Sequence, residues 1–133
     1  MTIAVDFDGT IVEHRYPEIG AEKPFAIETL RQLQAEGNRL ILWTSREGEL
    51  LEAAIAFCHE RGLDFYAVNS NQPRGALFAA QAGTKVVADV YIDDRNIGGL
   101  PDWGTIYEII CAKRARHHQK RKKKTFWQKL FRK

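Results

Sequence analysis

The chain has 133 residues and is poor in several things that would each point to a particular class of protein. Its two cysteines, Cys58 and Cys111, cannot build a disulfide framework, and His14, His59, His117 and His118 show no grouping with them that would make a zinc site. No apolar run approaches the ~20 residues that a membrane-spanning helix needs. The start of the chain lacks the basic stretch and apolar core of a signal peptide, so a reduced, cytoplasmic protein is the expectation. No repeat period is visible. Acidic residues are absent after Glu108: residues 113–133 hold eleven Lys/Arg and no Asp or Glu. That leaves nine of the 20 Lys/Arg against all 17 acids in residues 1–112, a balance of −8 hidden beneath the overall +3. An acidic domain, 1–112, and a basic amphipathic C-terminal tail, 113–133, are therefore read separately.

What is present in the acidic part is alternation. Ile3-Ala4-Val5, Leu40-Ile41-Leu42-Trp43, Phe65-Tyr66-Ala67-Val68 and Val90-Tyr91-Ile92 are short apolar runs of strand type. Between the first two, Ala26, Ile27, Leu30 and Leu33 recur at helical spacing from Pro24 to Gly37. Leu51, Ala54, Ile55 and Cys58 form a second helical stripe closed by Gly62, and both cysteines fall on or beside apolar stripes as core residues. A short Ala-rich helix is expected to end near Gly83, and a last amphipathic helix carries Trp103, Ile106, Tyr107 and Ile110. Strands alternating with helices predict an α/β fold: a doubly wound, Rossmann-like, mainly parallel sheet flanked by helices on both faces.

In such folds ligands bind outside the carboxyl ends of the strands. Those ends carry Asp6 and Asp8, Thr44 and Ser45, Asn69, and Asp93 and Asp94. Four carboxylates in one crevice would repel, two unit charges 4 Å apart costing about 4 kcal/mol at an effective dielectric of 20. Protons or a cation must relieve them. An all-oxygen acidic cluster favours a hard ion, Mg²⁺ above all, and a carboxylate beside such an ion can attack phosphorus.

The run Ile3-Ala4-Val5-Asp6-Phe7-Asp8-Gly9-Thr10 resembles the first motif of the haloacid dehalogenase-like (HAD) phosphohydrolases. A threonine ending the second strand, then Lys85, then the Asp93-Asp94 pair follow in that superfamily's order. The resemblance covers roughly residues 1–112. It is nearest to short bacterial members with Thr-Ser-Arg after strand two and Asp-Asp-Arg-Asn after strand four.

The resemblance implies a Mg²⁺-dependent phosphomonoester hydrolase working through an aspartyl-phosphate on Asp6. Asp8 is then the general acid/base, its backbone carbonyl also on the metal. Thr44 holds the phosphoryl oxygens together with backbone N–H groups near Phe7 and Ser45, and Lys85 neutralises nucleophile and phosphate. Asp94 is a direct metal ligand and Asp93 a more distant one. The stretches 11–23 and 70–75 are too short for a lid domain, which implies a capless enzyme with Glu13, His14, Arg15 and Tyr16 as a flap over the substrate. Arg46 and Arg95 could bind phosphate, but surface arginines are common and both are read as such. Two non-enzyme alternatives stand beside this: an inactive HAD-like binding module, and a receiver-type phospho-acceptor, against which Asn69 at the end of strand three argues. The substrate, a small molecule or a macromolecule, and any homo-oligomer are not legible.

Residues 113–124 are expected to extend the last helix and then fray by self-repulsion. Beyond them Phe126, Trp127, Leu130 and Phe131 share one helical face. Three readings stand for this tail: peripheral binding to an anionic membrane surface, nucleic-acid binding, or a solvated, disordered segment or one docked on the domain's own surface.

Overall fold

Ile3 and Val5 on one strand and Leu40 and Leu42 on its neighbour are wholly buried on one face of a sheet. Ala4 and Ile41 are buried on the other, as a two-residue side-chain period requires. In the computed structural model, which describes residues 1–75 and 85–131, the elements run β1 (Thr2–Val5), α1 (Ala26–Ala35), β2 (Arg39–Leu42), α2 (Gly48–Glu60), β3 (Ala67–Val68), β4 (Val90–Ile92) and α3 (Trp103–Leu130). The strands pair in the order β3-β2-β1-β4, all parallel, with Ile3 opposite both Leu40 and Val90. This is a Rossmann-like α/β fold.

Each helix contributes its apolar stripe to one cluster with Ile3, Val5, Leu40 and Leu42: Ile27, Leu30 and Leu33 from α1, Ala54 and Cys58 from α2, Trp103, Ile106 and Ile110 from α3. The three described helices thus share a face. On the opposite face Val86 packs with Ala4, Ile41 and Ala67, and Trp43, Ala88 and Tyr91 lie against them. The Ala-rich helix expected near Gly83 falls in residues 76–84, outside those described. Cys111 is half-buried beside the core and Cys58 is within it.

Local chemistry sets the helix ends. The Ile27 N–H donates to the Glu22 carboxylate at 3.1 Å, so α1 starts at Ala26, just past Pro24. Asp102 caps α3 by accepting from the Thr105 N–H at 3.0 Å. The third strand is shorter than its apolar run. Tyr66 still donates its N–H to the Leu40 carbonyl, but its ring is exposed and lies under the Arg39 guanidinium. The basic segment does not fray, for α3 continues unbroken to Leu130. Lys, Arg and Gln are good helix formers, and neither Gly nor Pro interrupts the chain after Gly104. Repulsion between like charges one turn apart costs only a few tenths of a kcal/mol per pair (about 0.2–0.5). No described helix is long and apolar enough to cross a membrane.

The topology has one consequence for the site. From β1 the chain winds outward through β2 to β3, then returns to β4 on the other side of β1. The direction of winding reverses between β1 and β4, and the crevice outside such a reversal is where these sheets bind ligands.

A candidate active site at the carboxyl edge of the sheet

β1 ends at Val5 and β4 at Ile92, and the Asp6 N–H donates to the Ile92 carbonyl at 3.0 Å. That bond holds the two strand ends together as they leave the sheet. The carboxylates of Asp6, Asp93 and Asp94 then converge, with one oxygen from each lying within 4.8 Å of the others. Thr10 organises the group. Its buried hydroxyl donates to Asp6 Oδ2 at 3.0 Å and accepts the Asp94 N–H at 3.0 Å. The Trp103 indole N–H fixes the Thr10 carbonyl from α3 at 3.2 Å. Burial pushes the Asp6 carboxyl up to about 7. The Thr10 hydrogen bond opposes that shift, while the Asp93 charge and a hydrogen bond with Asp94 add to it. With no nitrogen or sulfur donor among them, these three residues make an oxygen-only set suited to a hard divalent cation.

Gly9 makes the convergence possible. Its φ is +83°, and a Cβ there would stand 2.1 Å from Asp94 Oδ2 and 2.7 Å from Asp94 Cγ. Gly9→Ala must therefore both strain the backbone and displace the Asp94 carboxylate. Urea denaturation is expected to show a loss of roughly 2–4 kcal/mol. A loss below about 0.5 kcal/mol, the size of an ordinary surface substitution, would mean that the close approach is not real.

A cleft of about 580 Å³ opens at this edge, lined by Asp6, Asp8, Thr44, Ser45, Asp93 and Asp94, with His14, Tyr16, Trp43, Asn69 and Arg95 completing the wall. On its β2 side, the Thr44 N–H donates to Asn69 Oδ1 at 2.8 Å, and Asn69 takes a left-handed φ of 50° that asparagine tolerates. The Thr44 hydroxyl oxygen accepts the Arg46 N–H at 3.2 Å, which leaves its hydrogen to donate into the cleft. Ser45 is exposed beside it. The Phe7 ring is buried in the core, edge-on to Phe57, while its backbone N–H lies near enough to Asp6 to favour the ionised carboxylate.

Asp8 lies outside the acidic trio and is held by Arg46. The guanidinium donates to Asp8 Oδ2 from Nε at 2.7 Å and to Oδ1 from NH2 at 2.8 Å. Its other three donors are used too, on the carbonyls of Pro17, Glu18 and Leu50. The group lies over the rings of Phe7 and Tyr16, and the side chain is 0% exposed. The expectation of a surface arginine at 46 is therefore wrong. Among the described residues it is the largest fully buried side chain, and it ties together site, flap and α2.

Three further expectations shift. Of the flap residues 13–16, His14 and Tyr16 line the cleft and Glu13 and Arg15 do not. Arg95, set aside from sequence, lines it, and its N–H donates to Asp93 Oδ1 at 2.9 Å. Lys85 does not line the cleft. It is exposed where the chain starts its return across the second face, its amine 5.3 Å from the centroid of the Tyr91 ring. Thr10 was within the quoted motif without a role. A hydroxyl directly after Asp-Gly was the only hint of one.

Fold and cleft together define a Rossmann-like α/β protein with an acidic, cation-suited site at the switch point of its sheet. No family model matches the chain, and no curated protein matches it. A solved structure of a conserved protein coded by a locus of Bacteroides thetaiotaomicron is 62% identical, with a TM-score of 0.78. The match covers 85% of this chain and 91% of that one. The chain belongs to the same family as that conserved protein.

Proposed function

We propose that the chain is a Mg²⁺-dependent phosphomonoester hydrolase, HAD-like and capless, with Asp6 as nucleophile. The observation that carries this reading is the meeting of Asp6 with Asp93 and Asp94 from a distant part of the chain, facing Thr44 and Ser45 across one cleft. Mg²⁺, held by Asp6, Asp93 and Asp94, would supply positive charge that keeps Asp6 ionised near neutral pH and draws electrons from the phosphoryl group.

The residues divide the work. An Asp6 carboxylate oxygen attacks phosphorus, a bond forms between them, and the bond to the alcohol oxygen breaks with its electrons leaving on that oxygen. Water then cleaves the aspartyl-phosphate, so that ester and water become alcohol and inorganic phosphate. The Thr44 hydroxyl hydrogen and the Ser45 side of the cleft stabilise the phosphoryl oxygens as charge redistributes. Arg46 donates to both Asp8 oxygens and so fixes the Asp8 carboxylate at the cleft wall, where it acts as the general acid/base for the leaving group and the attacking water. Arg95 is the arginine on the cleft wall and supports the phosphate where Lys85 does not reach.

Release of phosphate from an aryl phosphate tests the reading directly. With Mg²⁺ present, turnover is expected, and chelation of the metal should lower it by about 10²-fold or more. Failure to release phosphate with any divalent ion would overturn the assignment.

A further inference from the structure

The outward face of α3 forms a stripe that the cleft does not use. Cys111 and Arg114 are half-buried against the domain, and from Ala115 to Leu130 every residue is exposed, so roughly 24 Å of the helix, at 1.5 Å per residue, stands out from it. Trp103, Ile106 and Ile110 fix which side faces the core. On the opposite side Arg116, Lys120, Lys123, Trp127 and Leu130 follow one another at helical steps, all exposed, and exposed Ile109 lies on the same line two turns earlier. Glu108 is the one acid of α3, and it lies near the start of the helix, away from this run of cations. At the far end the side chains of Phe126, Trp127, Leu130 and Phe131 are 61%, 45%, 56% and 74% exposed. The Trp127 ring stacks on Phe131, centroids 5.5 Å apart at 11°, and Phe126 meets it edge-on at 5.8 Å.

We infer that this face of α3 is a docking surface for an anionic lipid bilayer, with the aromatic knob entering the headgroup layer. Three features favour lipid over other partners. The cations and the knob lie on one straight line, so a flat negative surface meets both at once. The rings pack on one another with Leu130 beside them, which makes an apolar plug. Separate platforms for stacking bases would hold them apart. A second copy of the helix laid parallel along the same stripe would set Arg116, Lys120 and Lys123 against their own kind, so that pairing is opposed by charge. The inference is independent of the chemistry of the cleft.

Co-sedimentation of the full chain with phosphatidylcholine vesicles, with and without phosphatidylglycerol, tests it against a single-stranded oligonucleotide at the same ionic strength. Binding to the anionic vesicles should exceed binding to the neutral ones by at least about tenfold. Replacing the three stripe cations (R116Q, K120Q and K123Q together) should lower the vesicle affinity by roughly a hundredfold. Replacing the plug (W127S, L130S and F131S together) should lower it by about tenfold or more. Phosphate release and the near-ultraviolet dichroism of the domain should be unchanged in both variants. Equal binding to the two vesicle types, no binding to either, wild-type affinity in both variants, or tighter binding to the oligonucleotide than to the anionic vesicles would each overturn the inference.

Discussion

Arg46→Met is expected to destabilise the protein by about 3–5 kcal/mol, the cost typical of removing one partner from a buried ion pair. The side chain has no exposed surface, and all five of its N–H donors are used. Methionine fills much of the volume, but it leaves the Asp8 carboxylate, 11% exposed, without its cation. It also strips the Pro17, Glu18 and Leu50 carbonyls of their donor. For a chain of this size the melting temperature should fall by roughly 10–20 °C. Arg46→Lys keeps the charge but cannot make the paired bonds to both Asp8 oxygens, so it should recover only part of the loss. Adding Asp8→Asn to Arg46→Met should cost less than the sum of the two single changes, because the orphaned carboxylate is gone. A single Arg46→Met variant melting within a few degrees of wild type (about 3 °C, under 1 kcal/mol) would show that the pair is not what holds the flap.

That residue also marks where the sequence stopped being legible. The strands could be read because they are covered on both faces and so stand as unbroken apolar runs, Ile3-Ala4-Val5 and Leu40-Ile41-Leu42, and α1 because its burial recurs in steps of three at Ile27, Leu30 and Leu33. The acidic site was legible for a related reason, since a polar group directly after an apolar run sits at the edge of a parallel sheet. Arg46 had no such signature. Its burial depends on partners from separate stretches, Asp8, the Pro17–Glu18 turn and Leu50, and no local window contains them all. Thr10 was hidden for the same reason, because its hydroxyl works between Asp6 and the amide of residue 94. Lys85 shows the opposite failure. Its place in the order of motifs suited a catalytic lysine, yet order along a chain does not set the direction of a side chain, and this one lies by Tyr91. The basic segment misled through its charge, since exposed repulsion is weak beside the helix propensity of Lys and Arg.

Asp6→Asn separates the chemistry of the cleft from its electrostatics, because it should remove one and improve the other. An amide cannot form the acyl-phosphate, so turnover of an aryl phosphate should fall by about 10³-fold or more. Stability should move the other way. Burial holds the Asp6 carboxyl at about 7 in the folded chain, against 3.8 for the ordinary group. Between those values the folded state binds the proton and the unfolded state does not, so stability falls as pH rises. The contribution is intact below pH 3.8 and fully lost once pH passes about 7. In the metal-free protein at pH 8, Asp6→Asn should therefore be the more stable by roughly 1–2 kcal/mol, a figure reduced for the solvent access of the group. Near pH 4 the two chains should melt together. Mg²⁺ should raise the melting temperature of the wild type at pH 8 far more than that of the variant, since the amide offers the ion no charge. Full turnover in Asp6→Asn would refute the nucleophile. Melting temperatures that differ by the same amount at pH 4 and pH 8, without metal, would refute the burial that holds the Asp6 carboxyl above its ordinary range.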